Sequence, residues 1–232
     1  YFQEALMMAE DTFAAAPEQM IITQPPTAPE SSNDGFDIAA HQSAGQLITW
    51  VFIPLLGISG LFAIERTQGT LRRLLTTPAR KSTFLLGTIT GQFGASLVQM
   101  TLLVLFGVFV MKVNWGDSIA GLALILFTFG LAGVALGTML GTFVKTDSQA
   151  SNISIMAGMS MALLGGCWFP LELFPPGVQT AVHILPTTWA MQGLTDLVLR
   201  GQGFSDILLE ATVLLGFAAV FFIVGVRRFR YE

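Results

Sequence analysis

Few side chains in this 232-residue chain belong to the types that do covalent chemistry. Ser59 lies in "GISG" (57–60), a Gly-x-Ser-Gly arrangement that can present a serine nucleophile, and His183 would have to serve as its base. Cys167 is the one cysteine, which excludes an internal disulfide and a multi-cysteine metal site and leaves a small packing residue. No GxxxxGK[ST] is present, and none of the lysines (Lys81, Lys112, Lys145) follows a glycine, so no phosphate-cradling loop exists here. These counts argue against an enzyme: no catalytic set and no metal site is expected.

The residues whose spacing does suggest a task are basic. In "ERTQGTLRRLLTTPARK" (65–81), Arg66, Arg72, Arg73, Arg80 and Lys81 fall between two long apolar runs. Leu71, Leu74 and Leu75, at i, i+3 and i+4, form one apolar helical face with Arg72 and Arg73 pointing elsewhere. Gly69 and Thr70 can start that helix, and Pro78 stops it, because the residue before a proline resists the α region. A loop that only sets topology needs charge but not a bounded amphipathic helix. The spacing therefore predicts a short helix on the membrane face, offered to a partner.

The elements around it are membrane spans. The chain is 53% hydrophobic and 11% charged, against about a quarter charged in soluble domains. Five runs approach the roughly 20 residues that cross a bilayer: 45–65, 84–111, 118–144, 151–170 and 206–226. They are continuous rather than alternating, which excludes barrel strands. The expected class is an all-α polytopic membrane protein. Placing Arg66 to Lys81, Lys145 and Arg227, Arg228 and Arg230 in the cytoplasm leaves only Lys112 and Arg200 outside. The C-terminus is then cytoplasmic and residue 1 external, so a sixth span should precede this chain.

Residues 1–64 carry no Lys or Arg but seven acids: Glu4, Glu10, Asp11, Glu18, Glu30, Asp34 and Asp37. That excludes a nucleic-acid-binding arm. Residues 1–44 read as the end of an extracytoplasmic region, with "TQPPTAPESSNDG" an extended linker; "YFQ" at 1–3 matches the end of a protease-site tag. Residues 171–204, with Pro175, Pro176 and Pro186 and an amphipathic run from Thr187 to Arg200, read as an outer re-entrant or interfacial helix pair.

Two stretches resemble the signatures of ABC type-2 transporter permeases. "ERTQGTLRRLLTTPARKSTFLLGTITGQF" is similar to that family's Glu-Arg/Lys, Gly-Thr-Leu and Leu-Leu-Thr-x-Pro series. "LLGGCWFPLELFPPGVQTAVHILPTTWAMQGL" is similar to its glycine pair, proline and "FP" pattern. The resemblance covers about 45–230. It implies the last five spans of a six-span exporter subunit in the cell membrane, paired with a second permease protomer as a homodimer or pseudo-dimer. It also implies separate ABC ATPase subunits that carry ATP and Mg. Residues 66–80 would be the coupling helix resting on the ATPase, involving Arg66, Gly69 to Leu75 and Pro78, with Glu65 positioning it or pairing locally with Arg66. In related exporters the first and fourth of these spans line the cavity between protomers, so Trp50, Phe52, Met156, Met159 and Leu163 become candidates to meet an amphipathic drug-like or lipid-like substrate.

Other polar and small residues admit two readings. Gln92 and Gln99, seven apart on one face of the second span, either mark the substrate pathway or bond to neighbouring helices. Gly133, Gly137 and Gly141, like Gly87 and Gly91, repeat at four-residue spacing and should let helices approach closely, within the chain or across a dimer. "GISG" also resembles the intramembrane rhomboid protease form. Depth opposes it: Ser59 lies nine residues beyond Trp50, roughly 13 Å at about 1.5 Å per residue, whereas His183 falls in the outer hairpin. A passive channel or scaffold is a further alternative to the transporter reading, and the basic helix and the absence of a charged pore ring count against it.

Overall fold

The computed structural model describes residues 38–68 and 81–228; the coupling-helix expectation at 69–80 therefore lies outside the described residues, as do residues 1–37. Among the described residues the fold is all helical. The helices are α1 (Ile38–Leu56), α2 (Ile58–Thr67), α3 (Lys81–Phe109), α4 (Ile119–Gly141), α5 (Asp147–Leu164), α6 (Pro176–Ala181), α7 (Pro186–Val198) and α8 (Leu208–Arg228), with 3-10 turns at Leu171–Leu173 and Val182–Ile184.

Among the described residues, four stretches are long and apolar enough to cross a membrane: Ile38–Glu65, Leu86–Phe109, Ile119–Gly141 and Leu208–Arg228. Over most of the expected span at 151–170 lies α5, which starts and ends earlier and is not among these four. Asp147, Ser148, Gln149, Ser151, Asn152 and Ser154 make its first half polar. The first helix also extends back to Ile38, into residues assigned to the preceding loop, because Ala39, Ala40 and Ala44 sustain a helix beyond the apolar run.

Local chemistry sets the ends. Ser118 caps α4, its Oγ accepting from the Gly121 N–H at 3.1 Å. Thr146 caps α5 by accepting from the Gln149 N–H at 3.2 Å, and Asp147 adds a negative charge to the first turn, where the helix dipole favours it. Pro186 sits at the first position of α7, where its missing N–H costs nothing.

Packing centres on α4, which touches α1, α2, α3, α5, α7 and α8 and makes its most extensive contact with α8. Lipid tails are as apolar as leucine, so helices associate through close packing rather than by excluding water. The Gly133, Gly137 and Gly141 stripe serves that purpose inside the chain. A Cβ on Gly137 would run into the Leu55 carbonyl and the Ile58 side chain; one on Gly133 would lie 2.7 Å from Leu55, and one on Gly141 2.8 Å from Phe62. Gly87 and Gly91 differ, with no atom within 4 Å of a built Cβ. Gly137→Leu should therefore lower unfolding stability by about 1–3 kcal/mol through overpacking. Gly91→Leu should change it by less than about 0.5 kcal/mol. Detergent unfolding of the two purified variants checks the contrast.

Candidate functional site

The first membrane span is bent, and the bend organises the site. Pro54 lies inside the helix and has no N–H to give the Trp50 carbonyl four residues back. At Gly57 the helix breaks: the Gly57 N–H still reaches the Ile53 carbonyl at 3.1 Å, but the Gly60 N–H turns to the Gly57 carbonyl at 2.9 Å instead of to Leu56. In an apolar surrounding each unsatisfied carbonyl costs several kcal/mol. Side chains from neighbouring helices supply the missing donors. Gln99 Nε2 on α3 donates to the Trp50 carbonyl at 2.9 Å, and Ser154 Oγ on α5 donates to the Leu56 carbonyl at 2.9 Å. Gln92 Nε2 makes a longer contact of 3.4 Å with the Pro54 carbonyl.

Gln92 and Gln99 thus bond to a neighbouring helix, which is one of the two readings open for them. Ser154 was not singled out from the sequence. The available signal was Pro54, which announces a free carbonyl at Trp50; no local pattern says which distant helix will satisfy the others.

The cavity candidates separate. Phe52 is fully buried and stacks on Phe129 with ring centroids 5.5 Å apart, so its expected place on an accessible surface is corrected: it is core. Trp50 is 58% exposed and Met156 71%, and Met159 and Leu163 are also exposed. The Trp50 indole N–H donates to Gln46 Oε1 at 2.6 Å. Gln46, Trp50, Pro54 and Leu61 form an exposed stripe along α1 and α2. On one side lies α3, which meets the backbone at Trp50 and Pro54; on the other lies α5, whose Gly158 abuts Ile53. Gln46, Trp50, Pro54 and Leu61 are uncharged, as are the outward side chains of α5 beyond Asp147 at its start, which suits an apolar or amphipathic contact.

Glu65 closes the first span near the end of α2, and its Oε2 is buried without a hydrogen bond among the described residues. The side chain of Arg66, and Gly69, Thr70, Leu71, Arg72, Arg73, Leu74, Leu75 and Pro78, lie outside those residues. At the opposite end of the bundle, α7 buries Thr187, Thr188, Met191, Leu194 and Leu197 and pairs Asp196 with Arg200 at 2.5 Å. Cys167 is buried beside Gly45.

Ser59 and His183 do not form a dyad. Ser59 Oγ lies 3.3 Å from Ser154 Oγ inside the bend. His183 Nδ1 meets the Gln179 carbonyl at 2.7 Å, and its Nε2 faces Gln192 Nε2 at 3.0 Å. No group of three or more His, Cys, Asp or Glu that could hold a metal occurs among the described residues.

The profile of the family described as "ABC-2 family transporter protein" matches residues 3–227. The chain belongs to this family. Among its relatives, the linearmycin resistance permease protein LnrN of Bacillus subtilis (strain 168) is 29% identical over 191 residues, covering 82% of this chain and 49% of that protein. The inner membrane transport permease YhhJ of Escherichia coli (strain K12) is 28% identical over 188 residues, covering 79% and 49%. The probable multidrug ABC transporter permease YbhS of the same strain is 24% identical over 164 residues, covering 70% and 43%. The chain thus spans about half the length of these relatives. As an ABC-2 family membrane protein it is all-α and polytopic.

Three substitutions separate support from surface. Phe52→Ala should cost about 3–5 kcal/mol by opening a cavity beside Phe129. Gln99→Leu, which strands the Trp50 carbonyl, should cost about 1–3 kcal/mol. Trp50→Ala should leave thermal stability within about 0.5 kcal/mol of the parent, and thermal unfolding in detergent measures all three.

Proposed function

We infer that this chain is the membrane-spanning part of an ATP-driven ABC exporter that moves amphipathic, drug-like or lipid-like molecules out of the cytoplasm or inner leaflet. The observation that carries this reading is the uncharged exposed stripe of Trp50, Pro54 and Leu61 beside Met156, Met159 and Leu163, on a chain of the ABC-2 family. An aromatic ring and flexible methionines adapt to varied apolar ligands. Relatives named for linearmycin resistance and for multidrug transport support the substrate class.

In this reading two protomers bring their stripes together around a central cavity, as a homodimer or pseudo-dimer in the cell membrane. The C-terminus and the basic segment 66–80 face the cytoplasm, because nine of the eleven basic residues then lie inside. The chain holds no phosphate-cradling loop of its own, so ATP and Mg would be bound by ABC ATPase subunits. Glu65, Arg66, Gly69, Thr70 and Leu71 to Leu75, closed by Pro78, would form the coupling helix, with Arg72 and Arg73 facing acidic groups of the ATPase. Gly87 and Gly91, open in one protomer, are available to a neighbouring helix outside this chain.

Arg72→Glu combined with Arg73→Glu should weaken ATPase association at least about tenfold, roughly 1.4 kcal/mol, while leaving the thermal unfolding of the permease unchanged. Co-purification and substrate-stimulated ATP hydrolysis in proteoliposomes measure it. Normal association and stimulation in the doubly reversed variant would reject the docking assignment. Trp50→Ala and Met156→Ala should each raise the substrate concentration for half-maximal stimulation several-fold without lowering basal hydrolysis; unchanged values would remove the stripe from the substrate path.

A further inference from the structure

The glutamines around the bent span spend their amide groups differently. Gln99 and Gln92 use their Nε2 donors on the Trp50 and Pro54 carbonyls, at 2.9 and 3.4 Å. Gln46 does the reverse, its Oε1 accepting from the Trp50 indole N–H at 2.6 Å. An indole N–H can only donate, so the amide atom that faces it must be the oxygen. The amide therefore has one orientation, and its two Nε2 hydrogens remain unspent: no hydrogen bond uses them among the described residues.

The place of those donors makes them informative. Gln46 is exposed, on the face of α1 that continues through Trp50 and Pro54 at four-residue steps. It lies eight residues into the Ile38–Glu65 span, about 12 Å at about 1.5 Å per residue. At that depth unspent donors against lipid tails are unfavourable, and polar groups within a span mark substrate paths. One turn further back, Gln42 presents a second exposed amide on the same face. Residues 42–61 contain no charged side chain, so a charged ligand group would meet no counter-ion along this stretch. The face thus offers hydrogen-bond donors without charge, directly beside an aromatic ring.

We propose that Gln46 determines specificity in the substrate stripe: its amide selects uncharged amphiphiles that carry an oxygen acceptor, such as an ether, ester or carbonyl, and lay their apolar part on Trp50. The Trp50 indole is the positioning group, because it holds the amide with its donors free. The inference deepens the substrate path assigned above and rests on it; the binding preference itself needs neither ATP nor an ATPase.

Two probes with the same dodecyl chain test it. Octaethylene glycol monododecyl ether has an uncharged head rich in ether oxygens, and dodecyltrimethylammonium has a charged head with no acceptor. Ligand-dependent thermal unfolding of the full protein in lipid nanodiscs, below the micellar concentrations, measures binding of each; identical lipid for parent and variants cancels partitioning into the bilayer. The parent should bind the ether more tightly than the ammonium. Gln46→Met, similar in shape but without donors, should weaken ether binding about threefold to tenfold and leave ammonium binding unchanged. Gln46→Glu keeps an acceptor for the indole but replaces the donors with a negative charge, so it should shift the preference toward the ammonium. If Gln46→Met does not fold without the indole's partner, Gln46→Glu keeps the test.

Equal binding of the two probes by the parent, no binding of the ether, or a preference unchanged in both variants would overturn the inference. With the ATPase subunits added, the ether should stimulate ATP hydrolysis more than the ammonium does. Head-group selectivity that depends on Gln46, without stimulation by either probe, would uphold the inference and count against the exporter reading.

Discussion

A backbone carbonyl without its helical donor is the constraint on which the rest of this structure turns. In water such a group bonds to solvent; in an apolar bundle it must find a protein donor. Pro54 removes the donor for Trp50, and the break at Gly57 diverts the one for Leu56. Gln99 and Ser154 answer from two other helices, and in doing so they fix the register of α3 and α5 against α1. The bend thus determines its neighbours' positions as much as they hold the bend.

Close approach supplies the remaining order. The α4 glycines let Leu55, Ile58 and Phe62 of the bent span pack against helix backbone, and Phe52 and Phe129 fill the space above them. Dispersion falls off steeply with distance, so a stripe without side chains contributes by shortening every contact along it. Burying Phe52 on one side of α1 leaves Trp50 and Pro54 on the other, between α3 and α5. The uncharged surface proposed to meet substrate is therefore the reverse side of a core-forming helix. Its exposure and its support come from the same packing.

Separate demands explain why some expectations moved. Two amide side chains on one face of an apolar helix suggest a polar pathway, and Gln92 and Gln99 do share a face. In the structure they bond to backbone atoms of the next helix, where the need for donors is greatest. Phe52 belongs with Trp50 by type and position, yet two residues along a helix are about 200° of rotation, and that turns Phe52 to the core. In α5 the hydroxyl and amide residues of the first turns shorten the apolar stretch, which reads in sequence as a span displaced toward its C-terminal end.

Composition, apolar runs, the proline and glycine positions and the basic segment 66–81 were sufficient to establish an all-helical polytopic chain and its two family signatures, because helix length and charge placement are local properties. The glycine stripe of α4 was also legible, since four-residue spacing puts small residues on one face whatever lies opposite. Only the tertiary structure decided what that face meets, which amide bonds which carbonyl, and which of Trp50 and Phe52 is exposed. These depend on pairs far apart in the chain, such as Ser154 with Leu56 and Gln99 with Trp50, and a carbonyl's need for a donor does not name its donor.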